Sequence, residues 1–146
     1  MEEEPRILVV EDNPMDVLMI KRALKNGGFA KEPIVVDDGV PALAFLRQDS
    51  PYENEPKPDL IIMDLNLKLV DGPEVLAFIR QNTGLQDLLV IVLSSSPEDT
   101  MRSKAASADC YISKPTDVHS FLNLGNKIRS FYAEQGKATV QNHTAL

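Results

Sequence analysis

Three runs of the chain are apolar without interruption and rich in β-branched residues: Ile7-Leu8-Val9-Val10, Leu60-Ile61-Ile62-Met63 and Leu89-Val90-Ile91-Val92-Leu93. Unbroken apolar runs this short suit parallel strands covered on both faces. Ile34-Val35-Val36 and Cys110-Tyr111-Ile112 are weaker versions of the same signal. Helical patterns fill the gaps. Asn13-Pro14 supplies an N-cap and a proline suited to the first helical position, and the pattern runs to Gly27-Gly28. Gly39 precedes a segment carrying Ala42, Leu43, Phe45 and Leu46, and Gly72-Pro73 opens one carrying Val75, Leu76 and Ile79. Ser96-Pro97 opens another, with Glu98 and Asp99 where they favour the helix dipole, and Thr116 precedes the last. The order βαβαβαβαβα predicts one α/β domain with a parallel sheet of five strands and five helices. The domain is expected over residues 1–135, with a long loop from Gln48 to Asp59 and a flexible tail over 136–146.

Composition narrows the setting. With 146 residues, 43% of them hydrophobic, the chain can build one core. No apolar run approaches the ~20 residues that span a bilayer. The start, Met1-Glu2-Glu3-Glu4-Pro5, lacks the apolar stretch of a signal peptide. A single cysteine, Cys110, excludes an intramolecular disulfide and fits a reducing cytoplasm, the expected location. A net charge of −7 argues against nucleic acid or an anionic membrane as partner.

Polar residues stand where the strands stop: Glu11-Asp12 after the first, Asp64 after the third, Ser94 after the fourth and Lys114 after the fifth. In a parallel sheet these ends share one edge. Three carboxylates brought together repel by roughly 1–4 kcal/mol per pair at effective dielectrics of 80 to 20. Such a cluster invites a divalent cation, and hard oxygen donors suit Mg²⁺; no His or Cys is near, which disfavours zinc. A carboxylate beside such an ion can act as a nucleophile toward a phosphoryl group. Asp64, emerging alone from an apolar strand, is the best candidate; Glu11 and Asp12 form a pair suited to holding the ion. Lys114 can pair with a phosphoryl oxygen, and Ser94 offers a hydroxyl. Each residue also has an ordinary reading: a solvated acidic turn, a loop cap, a surface lysine, a serine capping a helix. Their coincidence at matching strand ends favours the site. Tyr111 reads as half-buried packing, Cys110 as a small core residue, and His119 and His143 as solvated.

Taken together, Glu11-Asp12, Asp64-Leu65-Asn66-Leu67, Asp71-Gly72, Ser94 after Val92-Leu93, and Lys114-Pro115 with Tyr111 three residues earlier resemble the response-regulator receiver domain of two-component signalling. The resemblance covers about residues 6–132. It implies a flavodoxin-like, doubly wound (βα)5 fold with strand order 2-1-3-4-5. It implies that Asp64 accepts a phosphoryl group from a sensor histidine kinase, and that Glu11, Asp12, Asp64 and the backbone carbonyl of Asn66 hold Mg²⁺. Ser94 and Tyr111 would form a switch pair, Lys114-Pro115 is often a cis peptide, and a downstream protein would read the switch. The chain would be a phosphoacceptor that catalyses its own phosphotransfer and slow autodephosphorylation, not an enzyme acting on an outside substrate. A narrower resemblance, carried by Asp38 through Leu46, the Tyr52-Glu53-Asn54 loop and Cys110-Tyr111-Ile112, is to the stand-alone regulators paired with cyanobacterial and bacterial phytochromes. Two departures stand out. Lys68 occupies a position where the family usually has Pro, which implies a looser loop after Asp64. Ser94 stands where Thr is commoner, which keeps the hydroxyl.

The last helix carries Phe121, Leu124, Ile128 and Phe131 as a narrow apolar stripe, with Val118, Leu122 and Gly125 on a neighbouring face. Packing on the sheet is the plain expectation; a homodimer through this helix and the fifth strand is the alternative. Two functional alternatives remain beside the receiver reading. A phosphorylation-independent interaction module would keep the fold without the chemistry. An aspartyl-nucleophile phosphatase usually carries a second Asp two residues after the nucleophile, where this chain has Asn66. Flavin or nucleotide binding is weaker, because the loop after the first strand is acidic and lacks glycine.

Overall fold

The computed structural model describes residues 4–97, 100 and 104–145. Its elements are β1 (Ile7–Val10), α1 (Pro14–Asn26), β2 (Ile34–Val36), α2 (Gly39–Arg47), β3 (Leu60–Met63), α3 (Gly72–Gln81), a 3-10 turn (Thr83–Leu85), β4 (Leu89–Ser94), β5 (Cys110–Ser113) and α4 (Val118–Ala145). The strands form one parallel sheet in the order β2-β1-β3-β4-β5, the flavodoxin-like order that the resemblance implies. Pairing is in step: Val10 lies opposite Val36 and Met63, and Met63 opposite Val92.

The unbroken apolar runs have the physical cause expected of them, since both faces of the sheet are covered. Leu8, Val10, Ile61, Met63, Val90 and Val92 enter one core with Phe45, Leu46, Val75, Leu76 and Ile79 of α2 and α3. Ile7, Val9, Leu60, Ile62, Ile91 and Leu93 enter the other with Ile20, Ala23 and Leu24 of α1 and with Phe121, Leu124 and Ile128 of α4. Each of the larger side chains buried there contributes about 1.5–3 kcal/mol of burial free energy.

Helix starts follow local chemistry. The Asn13 side chain accepts from the N–H groups of Met15 and Asp16 at 2.9 and 3.2 Å. Asp71 caps α3 through the N–H of Gly72 at 3.0 Å. At α4 the cap is Asp117, one residue after Thr116: its carboxylate accepts from the N–H of Ser120 at 2.8 Å and is held below the usual carboxylate range by that bond.

Three expectations need amending. The backbone is helical through Ala145, so residues 136–145, expected as a loose tail, continue α4. No proline interrupts them, and Ala133, Glu134, Gln135, Lys137 and Ala138 around Gly136 are good helix formers. The cis peptide among the described residues is Ser50–Pro51, not Lys114–Pro115. The stripe offered as a homodimer interface is spent inside the chain: Phe121, Leu124 and Ile128 are buried, and Phe131 packs partly buried against them. On the neighbouring face Gly125 closes on α1, where an added Cβ would run into the Ala23 carbonyl oxygen, whereas Val118 is 62% exposed. The helix expected after Ser96-Pro97 falls on residues of which 98, 99 and 101–103 lie outside the described residues.

Candidate functional site at the carboxyl edge of the sheet

Glu11, Asp64 and Lys114 each leave their strand by one more ladder bond. Glu11 N–H donates to the Val36 carbonyl at 3.0 Å, Asp64 N–H to Val10 at 3.1 Å, and Lys114 N–H to Ser94 at 2.9 Å. The sheet register therefore delivers four separate segments to one place. One carboxylate oxygen from each of Glu11, Asp12 and Asp64 lies within 4.8 Å of the other two. Glu11 and Asp64 are buried, and Asp12 is half-buried.

Lys114 sits among these acids, its side chain 10% exposed. Its ammonium reaches Glu11 Oε1 at 2.7 Å, Asp16 Oδ2 at 2.8 Å and Asp64 Oδ2 at 2.9 Å. Three carboxylates thus take the three N–H bonds of one ammonium. Burial alone lowers the lysine's affinity for its proton, but the bonds from Asp16, Asp64 and Glu11 outweigh it, so the group stays charged well above its ordinary range. Glu11 moves the other way from a normal carboxyl. Burial raises it, and the pairing with Lys114 and the N–H of Asn13 only partly offsets that. The physical content is an excess of acid: Glu11, Asp16 and Asp64 share the Lys114 ammonium, and Asp12 stands beside Glu11 and Asp64.

The hydroxyl candidate is also at this edge. Ser94 is fully buried, and its Oγ accepts from the N–H of Ser96 at 3.2 Å. Asn66, next but one to Asp64, donates its N–H to Asp64 Oδ1 at 3.1 Å, and its side-chain amide donates to Ser96 Oγ at 2.6 Å. Tyr111 lies two pairs back from the Ser94–Ser113 pair at the edge, opposite Val92, and packs half-buried against the α2/α3 core. Gly72 allows α3 to come this close: a Cβ there would meet the Asp64 carbonyl oxygen at 2.7 Å.

Glu11, Asp12, Asp64 and Lys114, the four charged residues expected at the site, are therefore together, with Ser94 and Asn66 beside them. The interface residues Phe121, Leu124, Ile128 and Phe131 are elsewhere, in the α1/α4 core. Two residues carry no site role in the sequence reading. Asp16 could have been found from its place in the first turn of α1, four residues after Asp12. Asp38 holds the loop after Asp64 and carries only a weak signal, as an N-cap before Gly39. The donor set suits a divalent cation: three carboxylates converge and their charge is not balanced by Lys114 alone.

Comparison with known proteins agrees with this geometry. Residues 7–124 match the response regulator receiver domain. The chain is 39% identical over 130 residues to the response regulator Rcp1 of Synechocystis sp., a span of 88% of each protein. The structure of the phosphorylated cyanobacterial phytochrome response regulator RcpA superposes with a TM-score of 0.84 at 36% identity, covering 91% of this chain and 96% of that one. The Mn²⁺-bound form of Rcp1 superposes with a TM-score of 0.80 at 37% identity, covering 88% and 94%. With the sheet order and the strand-end residues, these similarities lead to one conclusion: the chain belongs to the response regulator receiver domain family and resembles the phytochrome response regulators within it.

Proposed function

We propose that this chain is a phosphorylation-operated switch that takes a phosphoryl group onto Asp64 from a sensor histidine kinase, one that serves a phytochrome. The observation that carries the reading is the convergence of Glu11, Asp12 and Asp64 with Lys114 Nζ 2.9 Å from Asp64 Oδ2. In the transfer, an Asp64 carboxylate oxygen attacks phosphorus and a P–O bond forms. The P–N bond of the phosphohistidine breaks, and its electron pair stays with an imidazole that leaves neutral with the proton on its other nitrogen. Glu11, Asp12, Asp64 and the Asn66 carbonyl would hold Mg²⁺. When bound, that ion supplies positive charge against the three acids and the transferring oxygens.

The chain's own residues do the rest. Lys114, already held in reach of Asp64, trades that carboxylate for a phosphoryl oxygen. Transfer replaces one carboxylate charge with a group of about −2. Ser94 then turns from the Ser96 N–H toward the phosphoryl oxygens, and Tyr111 fills the space it leaves. Ligation so shifts a two-state equilibrium that a partner protein reads. A small acyl-phosphate donor with Mg²⁺ tests this by intact mass. The expected result is a gain of one phosphoryl group, absent in Asp64→Asn. No gain in the wild type would favour the phosphorylation-independent module instead, and turnover of donor beyond one equivalent would favour a phosphatase.

A further inference from the structure

Asp38 lies apart from the charged cluster, in the turn between β2 and α2, and is 7% exposed. Both of its carboxylate oxygens are filled. Oδ1 accepts from the N–H groups of Lys68 and Leu69 at 2.8 and 3.0 Å. Oδ2 accepts from Val70 at 3.0 Å and, more weakly, from Val40 at 3.4 Å. Three consecutive N–H groups of the loop leaving Asp64 thus converge on one carboxylate some thirty residues away.

The anchoring is part of a larger arrangement. Asp64 takes the N–H of Asn66 at 3.1 Å, and Asp71 takes those of Leu67 and Gly72 at 3.0 Å each. Three carboxylates therefore bind the backbone of a segment with no helix or strand of its own. Gly39 brings the two loops into direct contact, since a Cβ on it would stand 2.1 Å from the Val70 carbonyl oxygen. Lys68 sharpens the point. A proline in its place would have no N–H to give, so this chain has one more tie to Asp38, and the loop is fastened where the sequence implied slack.

We infer that Asp38 is a positioning residue for the Asp64 site: it fixes the loop that presents the Asn66 carbonyl and the Asp64 carboxylate to a divalent cation. It touches neither the reacting atoms nor the ion. The inference rests on the reading of Glu11, Asp12 and Asp64 as metal ligands.

Calorimetric titration of Mg²⁺ into the full chain, paired with amide hydrogen exchange, tests it on the wild type, Asp38→Asn and Lys68→Pro. Asp38→Asn is expected to weaken Mg²⁺ about tenfold, the scale of lost support behind a ligand. It should speed exchange at residues 68–70 while β4 stays protected. Lys68→Pro removes a single donor and leaves the carboxylate in place, so it should weaken Mg²⁺ only about two- to threefold, and it keeps the test open should Asp38→Asn fold poorly. Faster loop exchange with unchanged Mg²⁺ affinity in both variants would overturn the inference, leaving Asp38 a structural anchor only. A wild type that takes up no Mg²⁺ would overturn the metal-site reading and this inference with it.

Discussion

The seam between α1 and α4 and the edge that carries Asp64 hold their parts by opposite means. At the seam, backbone meets backbone: added Cβ atoms on Gly125 and Gly27 would stand 1.7 Å from the Ala23 carbonyl oxygen and 2.4 Å from that of Gly125. Arg129 locks the same corner, donating to the Gly28 carbonyl at 2.6 Å, to Gly27 at 3.3 Å and to Glu4 at 3.2 Å, with its guanidinium 4.1 Å above the Phe29 ring. Steric fit of this kind has one solution. At the site, one ammonium is divided among three carboxylates at 2.7 to 2.9 Å, with a fourth acid nearby. Any one of these bonds can be exchanged for another of the same sign. A fixed seam lets the site change partners without moving the strands that define it.

Gly125→Ala should give the largest effect. A methyl at 1.7 Å from a backbone oxygen forces the helices apart, and urea denaturation should show a loss of about 3 kcal/mol or more. A loss under about 1 kcal/mol would mean the seam yields, and the contrast fails. Lys114→Met comes next. Removing the shared cation leaves buried Glu11 and Asp64 facing each other, and about 2–3 kcal/mol should be lost at neutral pH without metal. Added Mg²⁺ should stabilise this variant more than the wild type, whereas equal stabilisation would show that Lys114 does not share its acids with the ion.

Asp38→Asn should cost about 1–2 kcal/mol near neutral pH. The wild-type carboxyl is held below its ordinary range: burial pushes it up, but the N–H groups of Val70, Leu69, Val40 and Lys68 pull it down further. A depressed acid contributes stability above its unfolded value of about 3.9, and that contribution fades as pH falls through the folded one. The gap between wild type and variant in thermal melts should therefore be full at pH 6 and shrink toward pH 3; a gap that widens on acidification contradicts the assignment. Asp16→Asn should be smallest, under about 1 kcal/mol, because its side chain is 26% exposed and two other acids still hold Lys114.

How much of this was legible in the residues divides along the same line. Apolar runs and caps marked all five strands and the starts of α1, α2 and α3, because burial on both faces and helix entry are local in sequence. Glu11, Asp12, Asp64, Ser94 and Lys114 were legible because strand ends are. Asp38 was not: its bonds to residues 68–70 depend on how two loops meet, and no periodicity reports that. Lys68 was misjudged for the same reason, its backbone mattering more than its side chain. The stripe on α4 and its neighbouring face were visible, but their use was not, since the fit of Gly125 against α1 appears only once both helices are docked.

The ladder bonds that carry Glu11, Asp64 and Lys114 one step beyond their strands make the chemistry depend on counting. Adding a single residue to β1 or β3 would send the following acid to the opposite side of the sheet, with pairing and apolar content preserved. Strand length thus matters to the site as much as the identity of the acids. A sequence could keep every signature residue, differ by one valine, and be chemically silent.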